Sequence, residues 1–270
     1  MCLKFSYIIL MTKNIPILIT LTIIFASCET IDIDPNYPTT YKKLFASTLE
    51  QLRTKFAQNN IYLNSSLSDF GFCSRFDYDV SPEIPPVLDS LTEIEAIELV
   101  RTFVLHNPSA TGVTRLNDFQ IEKLWSRSAY PDGSIPWTFR SSNQMADTVE
   151  VLDTGIYFRI KNRELVSVEN NWYPEIYIPE SFVFYQEQAT SKLIGKNVSH
   201  YTFSGDKYYL TISEADVHSS VVELVILPIT TDEKIELRVA WQIWIDPVAY
   251  ILYVDVMNGE ILREEPTMIS

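Results

Sequence analysis

The chain has 270 residues and a mass of 31.1 kDa, and 46% of its residues are hydrophobic and 13% aromatic. That is enough apolar material for a real core in one or two domains, which excludes global disorder. Its 21 basic against 35 acidic side chains give a net charge of −14, which excludes the basic footprint of a nucleic-acid binder, and its 7 Gly and 3 His leave little material for phosphate-cradling loops or His-based metal and catalytic sites.

Residues 1–27 read as a leader outside the fold. Lys4 and Lys13 are the only charges before Glu29, and the apolar run Ile15–Phe25 is short for a membrane span but has the form of a signal peptide. Met11 offers a second, more compact start. The run closes on Phe25-Ala26-Ser27-Cys28. Small residues before a Cys resemble the lipobox of bacterial lipoproteins, which implies cleavage before Cys28, its acylation, and membrane attachment through several acyl chains. An ordinary cleaved signal with an incidental Cys is the alternative. Cleavage removes 27 of the 270 residues and two lysines, leaving 243 residues and a net charge of −16. Residues 28–40 then form a short acidic, Pro-bearing tether. Its Glu29, Asp32 and Asp34 resemble the surface-export signals of Bacteroidetes lipoproteins. With Cys28 acylated, Cys73 has no intrachain partner, so a disulfide framework is excluded. Set among Phe70, Phe72 and Phe76, Cys73 reads as a small buried hydrophobe, with a reactive thiol as the alternative.

Tyr41 to Asn59 is expected to form one amphipathic helix with Leu44, Leu49, Leu52 and Phe56 on its apolar stripe. Residues 61–89, rich in Ser, Asp and Pro, read as a connection whose Phe70, Phe72, Phe76 and Tyr78 pack on the next module. Thr92-Glu-Ile-Glu95 fits a capping box. The helix it opens carries Ile94, Ile97, Val100 and Val104 on one face and ends at Asn107-Pro108. A third helix is expected from about Ser181, with Phe182, Tyr185, Ala189 and Leu193 as its stripe and Gly195 at its C-terminal cap. Strands follow each helix. Ile235–Ile245 alternates apolar and polar residues and predicts an antiparallel strand with one wet face. Tyr201–Leu210 reads as a hairpin around Gly205-Asp206, and Val221–Leu227 as a further strand. The chain is thus expected to be α+β.

Two segments repeat at an offset of 96. Tyr157-Phe-Arg-Ile-Lys-Asn162-Arg-Glu164-Leu-Val matches Tyr253-Val-Asp-Val-Met-Asn258-Gly-Glu260-Ile-Leu, with Tyr, Asn and Glu identical and the apolar positions corresponding. Each reads as strand, tight turn at Asn162-Arg163 or Asn258-Gly259, and return strand. A helix-then-sheet unit is therefore expected twice, over residues 90–178 and 179–270, after an N-terminal helix and connection at 41–89. Chance similarity of two hairpins is the competing reading.

These residues carry a family resemblance. Trp241 and the ending Ile251-Leu-Tyr-Val-Asp255-Val-Met-Asn258-Gly259-Glu260-Ile-Leu262 look like PepSY-type domains, and Gly155–Trp172 looks like the end of the neighbouring FTP-type module. Such modules adjoin one another in propeptides of thermolysin-like metalloproteases. The resemblance spans about residues 90–265. It implies two tandem cystatin-like units, each a helix packed on an antiparallel sheet. It also implies the inhibitory or chaperoning role of a propeptide, here with no His-Glu-x-x-His motif anywhere in the 270 residues.

No residue pattern demands catalysis. His106, His200 and His218 are isolated and show no ligand spacing, so no metal or cofactor is expected. His106 suits a helix C-terminus. The carboxylates read as a solvated acidic face, although a converging pair is open to acid–base chemistry. Asp255 reads as ordering the terminal hairpin. Trp172, Tyr173, Tyr177, Phe184 and Tyr185 gather at the junction of the two units and read either as inter-unit core or as a ligand site. Trp244 falls on the polar face of its strand, exposed for binding or covered by a neighbour. Trp172, Tyr173, Tyr177 and Trp244 are the candidate partner-binding residues. The expected role is a non-catalytic lipoprotein of the cell envelope, held at the outer membrane through Cys28, that binds a peptide, a peptidase or another envelope protein. A surface glycan-binding lipoprotein using exposed aromatics is the alternative, and a hydrolase built on scattered carboxylates a third.

Overall fold

The structure, a computed structural model, describes residues 35–58, 67–72, 75–77, 91–126, 136–161, 163–201, 207–246 and 249–266. The leader, Cys28, residues 29–34 of the tether, Cys73, Tyr78, Asn162 and the Gly205-Asp206 turn lie outside them. Residues 33–270 group as one compact unit. Its elements are β1 (Thr39–Lys42), α1 (Ala46–Gln58), β2 (Arg75–Asp77), α2 (Glu93–His106), α3 (Pro108–Thr111), β3 (Ile121–Ser126), β4 (Trp137–Ser141), β5 (Gln144–Ala146), β6 (Val149–Val151), β7 (Ile156–Lys161) and β8 (Glu164–Asn170). They continue with α4 (Gln186–Ser191), β9 (Asn197–Tyr201), β10 (Lys207–Thr211), α5 (Glu214–His218), β11 (Val221–Thr230), β12 (Lys234–Ile245), β13 (Tyr250–Asp255) and β14 (Ile261–Pro266). The fold is α+β, as expected, with short helices and large, mostly antiparallel sheets.

One sheet runs β2-β8-β7-β4-β3 and is covered by α2. The capping box forms as read: the Thr92 hydroxyl accepts from Glu95 N while the Glu95 carboxylate accepts from Thr92 N. These bonds satisfy two of the free amides at the helix start. Most of the expected stripe faces the core: Val100 and Val104 are buried and Ile97 packs against them, joined by Ala96 and Phe103, while Ile94 is 75% exposed. Burying Phe103, whose ring stands 6.2 Å from Phe158 in an edge contact, removes more apolar area than burying Ile94 and turns the helix accordingly. Leu49, Leu52 and Phe56 of α1 join the same core. That helix starts at Ala46 instead of Tyr41 because Thr39–Lys42 is claimed by a sheet.

The second sheet runs β14-β13-β12-β11-β6-β5, with β1 paired to β12. The β5–β6 hairpin comes from the first half of the sequence, and β6 lies parallel to β11. The expected boundary near 178 is therefore crossed, because buried Val149 and Val151 complete the second core instead of the first. The tether is corrected as well. Tyr37 is buried and β1 extends the sheet, so residues 35–40 belong to the fold.

The two repeated segments do form hairpins, β7–β8 and β13–β14. In the first, Lys161 stands opposite Glu164, with Arg163 at φ 65°. The second spans Val256–Gly259: Asp255 N donates to Glu260 O, and Gly259 N donates to Asp255 O. α4 is shorter than the expected 181–194. Val183 N and Phe184 N both donate to Val256 O, which draws that stretch onto the second loop and out of helical pairing. In β12 the expected buried face is present, but the opposite face is not simply wet. Ala240 and Gln242 are buried there beside an apolar cluster of Val225, Leu227, Ile251 and Tyr253.

Candidate functional site

A groove of about 340 Å³ opens between β5 and the loop after α3. Its first wall begins at Gly112, whose φ of 75° ends α3 and whose N–H caps Pro108 O. That φ strains any other residue, and a Cβ there would also stand a tight 3.2 Å from Trp172 O. Arg115 and Asp118 follow, paired at 3.2 Å across a single 3-10 turn. The opposite wall is Gln144, Met145, Ala146 and Asp147, and Trp172, Pro174 and Ile176 complete the lining.

Three side chains hold this arrangement. The Gln144 amide donates to Tyr173 O at 2.6 Å and accepts from Tyr173 N at 2.9 Å, occupying both backbone groups as a neighbouring strand would. The Asn170 amide donates to Ala110 O and Thr111 O and accepts from Trp172 N. The Thr154 hydroxyl accepts from Gln144 N. The walls are therefore set by buried, saturated polar groups, which is the condition for a pre-organised recognition surface. β5 ends the path of its sheet. An end strand offers backbone donors and acceptors to an added chain. Arg115, Asp118 and Asp147 supply charge of both signs, and Met145, 42% exposed, supplies an apolar rim.

Of the residues singled out in the sequence, Trp172 lines the groove but is only 4% exposed, packed near Phe119 at 6.4 Å. Tyr173 stacks on Tyr41 at 5.8 Å and meets Phe72 edge-on at 5.6 Å. Burial pushes its hydroxyl up to about 12. Tyr177 packs in the same core, its N–H donating to the Thr39 hydroxyl. The structure thus gathers these three at the junction between the sheets, mainly as packing. Trp244 is not among them: it lies 42% exposed on β12, opposite Val221. Phe184 covers the β13–β14 loop and Tyr185 is exposed at the start of α4.

The other polar centre is buried. Asp255 Oδ1 accepts from Met257 N at 2.7 Å and Asn258 N at 3.2 Å, and Oδ2 accepts from Arg238 and the Tyr37 hydroxyl, both at 3.1 Å. Arg238 also forks onto Glu236. Burial alone would raise the Glu236 carboxyl, but hydrogen bonds from Lys234 and Arg238 hold it below its ordinary value. Burial, then Asp255, push the Tyr37 hydroxyl well above its ordinary value. Asp255 orders the terminal loop, as its place in the sequence implied. Tyr37, Arg238 and Gln144 were not marked by any pattern, since each finds its partner at long range. His106 and His218 bond carbonyls one turn back at their helix ends. Among the described residues no three His, Cys, Asp or Glu side chains converge as a metal site, and no helix is long and apolar enough to cross a membrane.

Neither a family model nor a curated protein matches the sequence. Among solved structures, the chain is similar to the C-terminal domain of YpeB from Bacillus megaterium, at 11% identity and a TM-score of 0.30, over 84% of this chain and all of that one.

Proposed function

We propose that the chain is a non-catalytic, lipid-anchored cell-envelope protein whose groove between β5 and Gly112–Asp118 binds an extended segment of a peptide, a peptidase or another envelope protein. The observation that carries this reading is the end strand β5 forming one wall of a pre-set cavity, with charged and apolar side chains at its rim. Strand addition gives affinity through the backbone and selectivity through such side-chain pockets. The PepSY- and FTP-like motifs support the same role, and with it two cystatin-like halves grown together through the β5–β6 hairpin. The lipobox-like ending at Cys28 supports the anchor and the outer-membrane address. Neither a metal nor a cofactor is needed.

A random-peptide display library tests the reading, panned on soluble Cys28→Ser chain. Enriched peptides should lose binding to Met145→Asp and to Arg115→Ala, and an absence of enrichment would count against the groove. Incorporation of labelled fatty acid into the wild type but not into Cys28→Ser checks the anchor. Glycan binding is the second reading, favoured by one observation: exposed Trp244 stands opposite exposed Val221 at the end of the β11–β12 pair. A glycan array with signal that vanishes in Trp244→Ala would support it over the first.

A further inference from the structure

The β5 wall of the groove offers an occupant less backbone than its length suggests. Leu152 N donates to Ile226 O, so Glu150, two residues earlier, also turns its backbone toward β11, while Val149 and Val151 turn theirs toward β5. The backbones of Ala146 and Gln144, which stand opposite them, are thereby occupied. At Gln144 the Thr154 hydroxyl lies between the strands, accepting from Gln144 N and donating to Val151 O. Met145, opposite Glu150, is left as the one residue of β5 whose N–H and C=O face away from the sheet. The amides of Gln144 and Asn170 are saturated by backbone as well. One backbone pair gives little selectivity, which falls to the charges at the rim.

Those charges are of both signs and are not used up. Arg115 meets Asp118 through Nε at 3.2 Å, which leaves both Nη groups of a fork that matches a carboxylate. Asp147 is exposed on the opposite wall, at the β5–β6 turn. Among the described residues Arg115 meets no other carboxylate and Asp147 no cation, so two opposite charges line one groove without meeting each other. The turn itself does not call for a carboxylate: Asp147 has φ 53°, a conformation that Asn tolerates equally. We propose that the segment bound in the groove carries charge of both signs, an acidic side chain directed to Arg115 and a basic one directed to Asp147, on either side of the residue that pairs with Met145. This rests on the reading of the groove as a polypeptide site and adds what that polypeptide carries.

The test pans one random-peptide display library in parallel on soluble Cys28→Ser chain and on the same chain with Asp147→Asn or with Arg115→Ala, all three matched in melting temperature, and sequences the selected pools. Peptides enriched on the parent should carry an acidic and a basic residue within a few positions of each other, several-fold above the unselected library. Asp147→Asn should abolish the basic preference and keep the acidic one, and Arg115→Ala should do the reverse. In one selected peptide, replacing the basic residue by Gln should weaken binding to the parent about two- to fivefold, as loss of a partly exposed ion pair does, and leave binding to Asp147→Asn unchanged. Enriched pools with no charge preference, or with one that both variants retain, would overturn this proposal and leave the polypeptide reading standing, whereas no enrichment at all would overturn both. Displacement of the selected peptide by free tripeptides with uncharged side chains would assign the two charges to chain termini and also overturn it.

Discussion

Tyr37 stands at the meeting of the first and last described parts of the chain. Its hydroxyl serves a backbone pair of β12 and a carboxylate of the terminal hairpin. Tyr37→Phe leaves Val239 N and part of Asp255 without partners in a buried place, at a cost of about 1–3 kcal/mol. Chemical denaturation should read this as a lower midpoint at unchanged slope. The same tyrosines set the alkaline limit. Burial pushes Tyr41 and Tyr173 up to about 12 and Tyr37 further. Their neutral forms are favoured in the folded state, so their contribution is complete below about pH 10 and is lost as pH rises toward 12. Melting temperature should fall across that window, and less steeply in Tyr37→Phe. Gly259 is the other sensitive position. At φ 68°, an added Cβ would stand 2.5 Å from the Phe184 ring, so Gly259→Ala should lose about 1–3 kcal/mol from backbone strain and displaced packing together.

At the scale of elements, local signals were legible and long-range ones were not. The Thr92–Glu95 box lies within four residues and formed as read; Thr92→Ala should cost about 1 kcal/mol, seen as a lower thermal midpoint. The alternation of Ile235–Ile245 announced β12, and the offset of 96 announced two hairpins, because side-chain period and turn residues are local properties. The start of α1, the length of α4 and the place of β1 were misjudged for one reason. In each case a distant backbone competes for the same groups: β12 for Thr39–Lys42, and Val256 for Val183 and Phe184. On α2 the stripe Ile97, Val100 and Val104 was legible, whereas Phe103 was not, because its ring partner Phe158 lies across the core.

At the scale of the molecule, the two halves of the sequence share a sheet, because the β5–β6 hairpin leaves the first half to pair with β11 of the second. That crossing creates the groove, which explains why its key residues were not visible in advance. Gln144, Met145 and Asp147 form no motif among themselves and become a wall only when β5 stands across from Gly112–Asp118. The junction aromatics pointed to the right region but to its packing. The central claim, that this groove takes an extended polypeptide, is tested most directly by hydrogen exchange on the full chain with a display-selected peptide. Protection should appear in residues 112–118 and 144–151 and be absent in Met145→Asp. Protection confined to the Val221–Trp244 surface, or unchanged in Met145→Asp, would contradict it.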